Sequence, residues 1–187
     1  MLQILLESNE KYSLAEQAQI GIEGGATWLI LRCNGLEDSE IRELAHELVP
    51  LCRENGTILT FEGRPDMARE LGVHGLLLRR DEKPEQMRID LGPEAIIGAE
   101  TEDVARILAL DKADIDYIAM TTRNPSEIIA EVRKANSTIP FVALGDYSIN
   151  DAGRLLFAGY NGVCTGRPVF EADDPVQYVK DFLAALS

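Results

Sequence analysis

Several charged side chains in this chain stand at the end of a short apolar run, where a rigid strand could aim them. Arg32 closes "TWLILR", Glu62 follows "TILTF" and Glu100 follows "AIIGA". Each continues the two-residue alternation of its run, so each is expected to point the same way as the apolar residue two places earlier. Two carboxylates held in one partly desolvated site split their pKa values, as proton-transfer chemistry requires. Glu62 and Glu100 are the candidates for that pair, with Arg32 beside them as the third candidate catalytic group. A second chemistry is written in "ALGDY" and "CTGRP". Gly145 and Gly166 each lie between an apolar run and a helical pattern, where glycine lets backbone N–H groups approach an anion. Arg167 would add a charge-assisted bond, and Asp146 is the acidic member of this candidate phosphate site. A third cluster is "GLLLRRDEKP", which runs from apolar Gly75–Leu78 into Arg79, Arg80, Asp81 and Glu82 with no turn residue between.

These residues need a scaffold, and the pattern supplies one. Eight short apolar runs alternate with amphipathic segments: 2–7, 27–32, 57–61, 74–78, 95–99, 116–120, 140–145 and 162–166. Continuous apolar runs suit parallel strands that are covered by helices. Helix starts are expected near Ser39, Asp66, Ser126 and Asn150, and stops at Gly24, Gly56, Gly72 and Gly159. There is no Pro/Gly/Ser linker, low-complexity tract or shift in composition. Eight strand–helix pairs in one unit predict an α/β fold, a closed (β/α)₈ TIM barrel with eight parallel strands, as a single domain over residues 1–187. The length is short for that fold, so the fourth helix, around 84–90, must be brief. The rival is an open doubly wound sheet. It lacks its commonest signature here, since no G-x-G-x-x-G follows the first run.

Composition narrows the partners. Acidic residues outnumber basic ones 32 to 18, for a net charge of −14. Such a surface repels nucleic acid and anionic membrane. No apolar run is long enough to span a bilayer. The start, "MLQILLESNEKYS", has neither a basic region nor a cleavage site, so a cytoplasmic protein is expected. Cys33, Cys52 and Cys164 are an odd number without metal spacing, which argues for reduced thiols. His46 and His74 are the two histidines and leave no His/Cys zinc site.

A barrel places its chemistry at the C-terminal strand ends. That rim collects Glu7 and Asn9, Arg32 and Asn34, Glu62 and Arg64, the "RRDE" cluster, Glu100, Thr121 to Arg123, Gly145 and Asp146, and Thr165 to Arg167. So many carboxylates need cations nearby. Arg80 is therefore expected to pair across the rim with Glu62 or Glu100, and Asp81 and Glu82 to face the mouth.

Over nearly its whole length the chain resembles the thiamin phosphate synthase and thiazole tautomerase family. The carrying segments include "GGATWLILRCN", "FEGRPDMARELGVHGLLLRRDEKP", "GPEAIIGAET" and "IPFVALGDYSINDAGRLLFAGYNGVCTGRPVFEADDP". The resemblance implies a transferase of thiamin biosynthesis that joins a pyrimidine diphosphate to a thiazole phosphate, with Mg²⁺ helping diphosphate to leave. The family's Gln-Leu-Arg-x-Lys motif reads Ile30-Leu31-Arg32-Cys33-Asn34, so Asn34 stands at a substrate position. Asn-Asp-Arg reads Glu62-Gly63-Arg64, which removes a metal aspartate. His-x-Gly-Gln-x-Asp ends in Asp81 and Glu82, the implied metal ligands, and places Arg80 among the substrate-binding candidates. The Thr-x-Thr-Lys loop becomes "TTRNP", so Thr122 and Arg123 take that substrate role. The implied ligand is a small phosphorylated heterocycle, with Mg²⁺ held only weakly and little synthase turnover. Two alternatives stay open: a non-catalytic barrel that binds a phosphate ligand, and a barrel enzyme of other acid/base chemistry using Glu62 and Glu100. Self-association is also left open.

Overall fold

The computed structural model describes residues 1–80 and 82–187, with the side chains of residues 85 and 86 left aside. Among the described residues the strands are β1 (Leu2–Leu6), β2 (Trp28–Arg32), β3 (Ile58–Glu62), β4 (Gly75–Leu78), β5 (Ile96–Glu100), β6 (Tyr117–Met120), β7 (Phe141–Leu144) and β8 (Gly162–Thr165). They pair in parallel in chain order, and β8 returns to β1, so the sheet is a closed barrel. The helices are α1 (Leu14–Glu23), α2 (Asp38–Glu54), α3 (Pro65–Leu71), α4 (Pro84–Leu91), α5 (Val104–Lys112), α6 (Ser126–Lys134), α7 (Ala152–Phe157), α8 (Arg167–Phe170) and α9 (Pro175–Ala185). The fold is the expected (β/α)₈ barrel. The short helix α8, set between β8 and the closing helix, was not anticipated. Its single turn is too short to leave a periodic pattern.

Alternation divides the core in two. Leu5, Ile30, Leu77, Ala119, Val142, Leu144 and Cys164 belong to a cluster inside the barrel. Their strand neighbours, among them Leu29, Phe61, Leu76, Ile118 and Phe141, face the helices in a second cluster. The interior is filled by two large rings. Trp28 meets Tyr117 edge to face, with centroids 5.4 Å apart, and its indole N–H donates to the Thr60 hydroxyl at 3.1 Å. Gly98 makes this possible, because a Cβ there would stand 2.1 Å from the Tyr117 ring.

The helix ends follow local capping chemistry. Ser13 caps α1: its hydroxyl accepts the Glu16 N–H, and the Glu16 carboxylate accepts the Ser13 N–H. Chain entry into α2, α3 and α6 lies within a residue or two of Ser39, Asp66 and Ser126. The residues at the caps are Glu37, Arg64 and Pro125 instead. Asp66 sits in the first turn of α3 and binds the Arg64 guanidinium, which holds its carboxyl below the usual range. The stops at Gly24 and Gly72 are as expected, and Gly56 and Gly159 follow the ends of α2 and α7 at positive φ. Both histidines lie away from the mouth. His46 is on α2, and the His74 Nδ1 accepts the Leu59 N–H at 3.0 Å near the opposite end of the barrel. Among the described residues no helix is long and apolar enough to cross a membrane.

Gly98→Ala is expected to lower stability by about 1–3 kcal/mol, because the Tyr117 ring has nowhere to move in a filled interior. Gly153→Ala, in α7 with nothing within 4 Å of the new methyl, is expected to raise it by about 0.5–1 kcal/mol. Urea denaturation midpoints at unchanged slope read both. Equal effects at the two positions would show that the ring contact does not govern the interior.

Candidate active site at the barrel mouth

β3 and β5 run one residue further than their apolar runs, to Glu62 and Glu100, and β2 ends at Arg32 as expected. Arg32, Glu62 and Glu100 are the last residues of β2, β3 and β5. Their direction is therefore fixed by the same pleat that buries Ile30 and Thr60. Arg32 and Glu62 are register partners on adjacent strands. The Arg32 Nε donates to Glu62 at 2.7 Å, and its Nη1 donates to Glu7 at 2.5 Å. Burial works against the guanidinium charge, but the Glu62 hydrogen bond and the attraction of Glu62 and Glu7 outweigh it, and the Arg32 pKa is raised.

These groups line one cavity of about 460 Å³. It brings together Arg32, Glu62 and Glu100 with the loop residues Gly145, Asp146, Gly166 and Arg167. Seven of the sequence candidates thus share a single space over the buried floor of Leu5 and Leu144. Glu7 and Thr121 complete the wall. Sequence reasoning placed both on the rim without giving them a role. The signal was present, since Glu7 follows the inward parity of Gln3 and Leu5, and Thr121 that of Tyr117 and Ala119.

Other candidates lie outside this cavity. Asn34 lines a neighbouring cleft of about 360 Å³, with Glu62 as the shared wall. Arg80 is on the rim, where its Nε donates to Glu100 at 3.1 Å. That is the cross-rim pairing expected from charge balance. The Thr122 hydroxyl accepts the Asn124 N–H at 3.2 Å within its own turn. Arg123 lies over the Tyr147 ring at 5.7 Å. Neither Thr122 nor Arg123 is a wall of the cavity. Tyr160 and Tyr147 hold their loop by donating to the carbonyls of Thr122 and Thr121.

The two glycines have structural duties of their own. The Gly145 N–H donates to the Cys164 carbonyl at 3.1 Å, so that donor is already engaged. A Cβ on Gly166 would stand 2.4 Å from the Leu5 carbonyl oxygen, so the close approach of this turn to β1 demands glycine. Arg167 is the cation on this side of the mouth, and it is ion-paired with Asp146. A glycine variant at position 166 would test the fold, whereas Arg167 tests the site.

Asp81, an implied Mg²⁺ ligand, lies outside the described residues. The Glu82 carboxylate accepts the Arg79 backbone N–H at 2.8 Å. Glu7 and Glu62 are committed to Arg32, and Glu100 to Arg80. Among the described residues, no three His, Cys, Asp or Glu side chains stand together to hold a metal ion. The described donor set does not fit Mg²⁺, and no step is assigned to it. Nor is a thiolate available as a nucleophile. Cys33, Cys52 and Cys164 are free and buried. Burial pushes the Cys33 thiol up to about 12 and the Cys52 thiol up to about 11, and raises Cys164 as well.

Fold and site together define a (β/α)₈ barrel with a charged cavity at its C-terminal mouth. The chain belongs to the thiamine monophosphate synthase family, whose model matches residues 3–169. It is 28% identical over 199 residues to the thiamine-phosphate synthase of Bacteroides thetaiotaomicron, covering 97% of this chain and 95% of that one. The Bacteroides fragilis thiamine-phosphate synthase is 29% identical over 199 residues, covering 97% and 98%. Among solved structures, thiamine phosphate pyrophosphorylase from Pyrococcus furiosus superposes with a TM-score of 0.82 at 23% identity, over 99% of this chain and 94% of that one.

Arg32→Met is expected to cost about 1–3 kcal/mol, because it leaves Glu7 and Glu62 facing each other without a cation. Adding Glu7→Gln and Glu62→Gln should recover most of that loss in urea denaturation. An equal loss in the triple variant would assign Arg32 a packing role instead. The native thiols are expected to resist alkylation at pH 8, and all three to react in denaturant. Rapid labelling of the folded protein would contradict the burial.

Proposed function

We propose that this chain is a divergent thiamine monophosphate synthase-like barrel that binds a phosphorylated heterocycle, of the thiazole phosphate or thiamin phosphate class, and turns it over slowly. The observation that carries the reading is the convergence of strand-end residues from β2, β3, β5, β7 and β8 on one cavity at the mouth. A barrel uses that face for ligands, and the loops after its last two strands for phosphate. Family membership supports the ligand class.

Charge balance supports the slow turnover. Departure of diphosphate needs positive charge aimed at the leaving oxygens. The cavity wall carries four carboxylates, Glu7, Glu62, Glu100 and Asp146, against two guanidinium groups, Arg32 and Arg167. Both guanidinium groups already have carboxylate partners. This arrangement is ordered but offers little free positive charge. The acid/base alternative is less well supported. Glu62 and Glu100 do share the cavity, but each accepts a hydrogen bond from an arginine on one carboxylate oxygen.

The test is a panel of thiazole phosphate, its unphosphorylated alcohol, thiamin phosphate and a pyrimidine diphosphate, with and without Mg²⁺. Thermal shift and calorimetry read binding, and direct product analysis reads thiamin phosphate formation. A phosphorylated heterocycle at 100 times its Kd should stabilise the protein by about 2.7 kcal/mol. Product should form at or near background. No shift with any phosphorylated heterocycle would remove the ligand assignment. Efficient thiamin phosphate formation would remove the slow-turnover half and return the chain to the working synthases.

A further inference from the structure

We infer that Asp146 is an internal competitor for the phosphate subsite: its carboxylate occupies Arg167, and a phosphoryl group must displace it to bind. The inference rests on the mouth as ligand site and names the residue that sets its selectivity. Asp146 follows Gly145 at the end of β7, and Arg167 follows Gly166 at the end of β8, so adjacent loops carry the two charges. Both residues line the cavity, and they form an ion pair across its edge.

Exposure separates this pair from the other one in the wall. The Arg32 side chain is 33% exposed and is held by two carboxylates, one of them the 10% exposed side chain of Glu62. Removing Arg32 from that position would strand buried charge. Arg167 is 60% exposed and Asp146 46%. An exposed pair of this kind separates easily. Of the two guanidinium groups in the wall, Arg167 is therefore the one that can be handed to a ligand.

What Arg167 offers is a planar fork of N–H donors, suited to two oxygens of one phosphoryl group. Asp146 already presents one carboxylate oxygen to the Nη2 of that fork. An arriving phosphate dianion competes for the same donors and meets a like charge beside them. An uncharged ligand has no means of displacing the carboxylate, so the pair stays closed to it. Asp146 thus lowers affinity for phosphorylated ligands in particular and leaves contacts elsewhere in the cavity unaltered. The Gly145 N–H is given to Cys164, so it does not replace Arg167 as the donor that decides the outcome.

The experiment compares wild type, Asp146→Asn, Arg167→Gln and the double variant. Calorimetry measures three probes: thiazole phosphate, its unphosphorylated alcohol and inorganic phosphate. Asp146→Asn should bind thiazole phosphate about fivefold to tenfold tighter, as expected when a rim pair and its like-charge repulsion are removed. The alcohol should be unchanged, and adding Arg167→Gln should remove most of the gain, leaving only the relief of like-charge repulsion. Melting temperatures close to wild type check that each variant is folded, as the exposure of both side chains leads one to expect. Unchanged phosphate affinity in Asp146→Asn overturns the inference. So does an equal gain for the alcohol, or a gain that survives the loss of Arg167 in full. Inorganic phosphate separates this proposal from the ring assignment. If Asp146→Asn gains Arg167-dependent phosphate binding while no heterocycle binds, Asp146 stands as the competitor and the heterocycle reading fails. If the heterocycle binds and the variant gains nothing, the reverse holds.

Discussion

A closed barrel of parallel strands gives every strand residue one of two fates, inside with its counterparts from the other strands or outside against helices. In this chain the inside is small and already full, with the Trp28 and Tyr117 rings meeting over the gap left by Gly98. Nothing else of size can enter from the mouth beyond the level of Leu5 and Leu144. The next inward position on each strand therefore has to be the floor and wall of a cavity. Glu7, Arg32, Glu62, Glu100 and Thr121 all occupy that position. The pleat that packs the core also delivers the charged groups, and no separate device is needed to aim them.

Bringing such groups together has an electrostatic cost that the arrangement must offset. Carboxylates crowded in a partly desolvated space favour protonation or a cation. The structure supplies guanidinium groups from a neighbouring strand, from the loop after β4 and from the first residue of α8. Arg32 reaches Glu62 because the two are register partners, so their pairing follows directly from strand order. Arg80 reaches Glu100 from the loop after β4, and Arg167 reaches Asp146 from the start of α8. In this mouth each of the carboxylates Glu7, Glu62, Glu100 and Asp146 has a guanidinium partner.

Much of this was legible in the sequence for a physical reason. Alternation is a local property, so the inward direction of Arg32, Glu62 and Glu100 could be read from residues two places earlier. The barrel itself followed from eight repeats of strand and helix. What was not legible depended on long-range partners. Thr122 and Arg123 sat at the right distance along the chain, but two tyrosines from later elements hold their loop. The Gly145 amide looked free for an anion until the Cys164 carbonyl of the adjacent strand claimed it. Gly166 suggested a phosphate turn, while the contact that requires glycine there is with the Leu5 carbonyl of the first strand. Glu7 could have been included by the same parity rule as the others. It was placed on the rim at the end of the 2–7 run, but its partner Arg32 lies on another strand, which local alternation does not reveal.

The same chemical pair, guanidinium with carboxylate, does two different jobs across one cavity, and solvent decides which. Around Arg32 the partners are doubled and the deepest is nearly out of water, so the pair is part of the wall. Separating it leaves charge where hydration cannot follow. Around Arg167 the partner is single and both side chains meet water, so opening the pair costs little. A wall that must not move and a donor that must change partners are thereby built a few strands apart from identical groups. The closed order of the barrel sets this difference, because β2 is flanked on both sides by strands whose ends carry acids, Glu7 beside β1 and Glu62 on β3, whereas the β7 and β8 ends reach their charges only after a glycine turn has carried the chain outward.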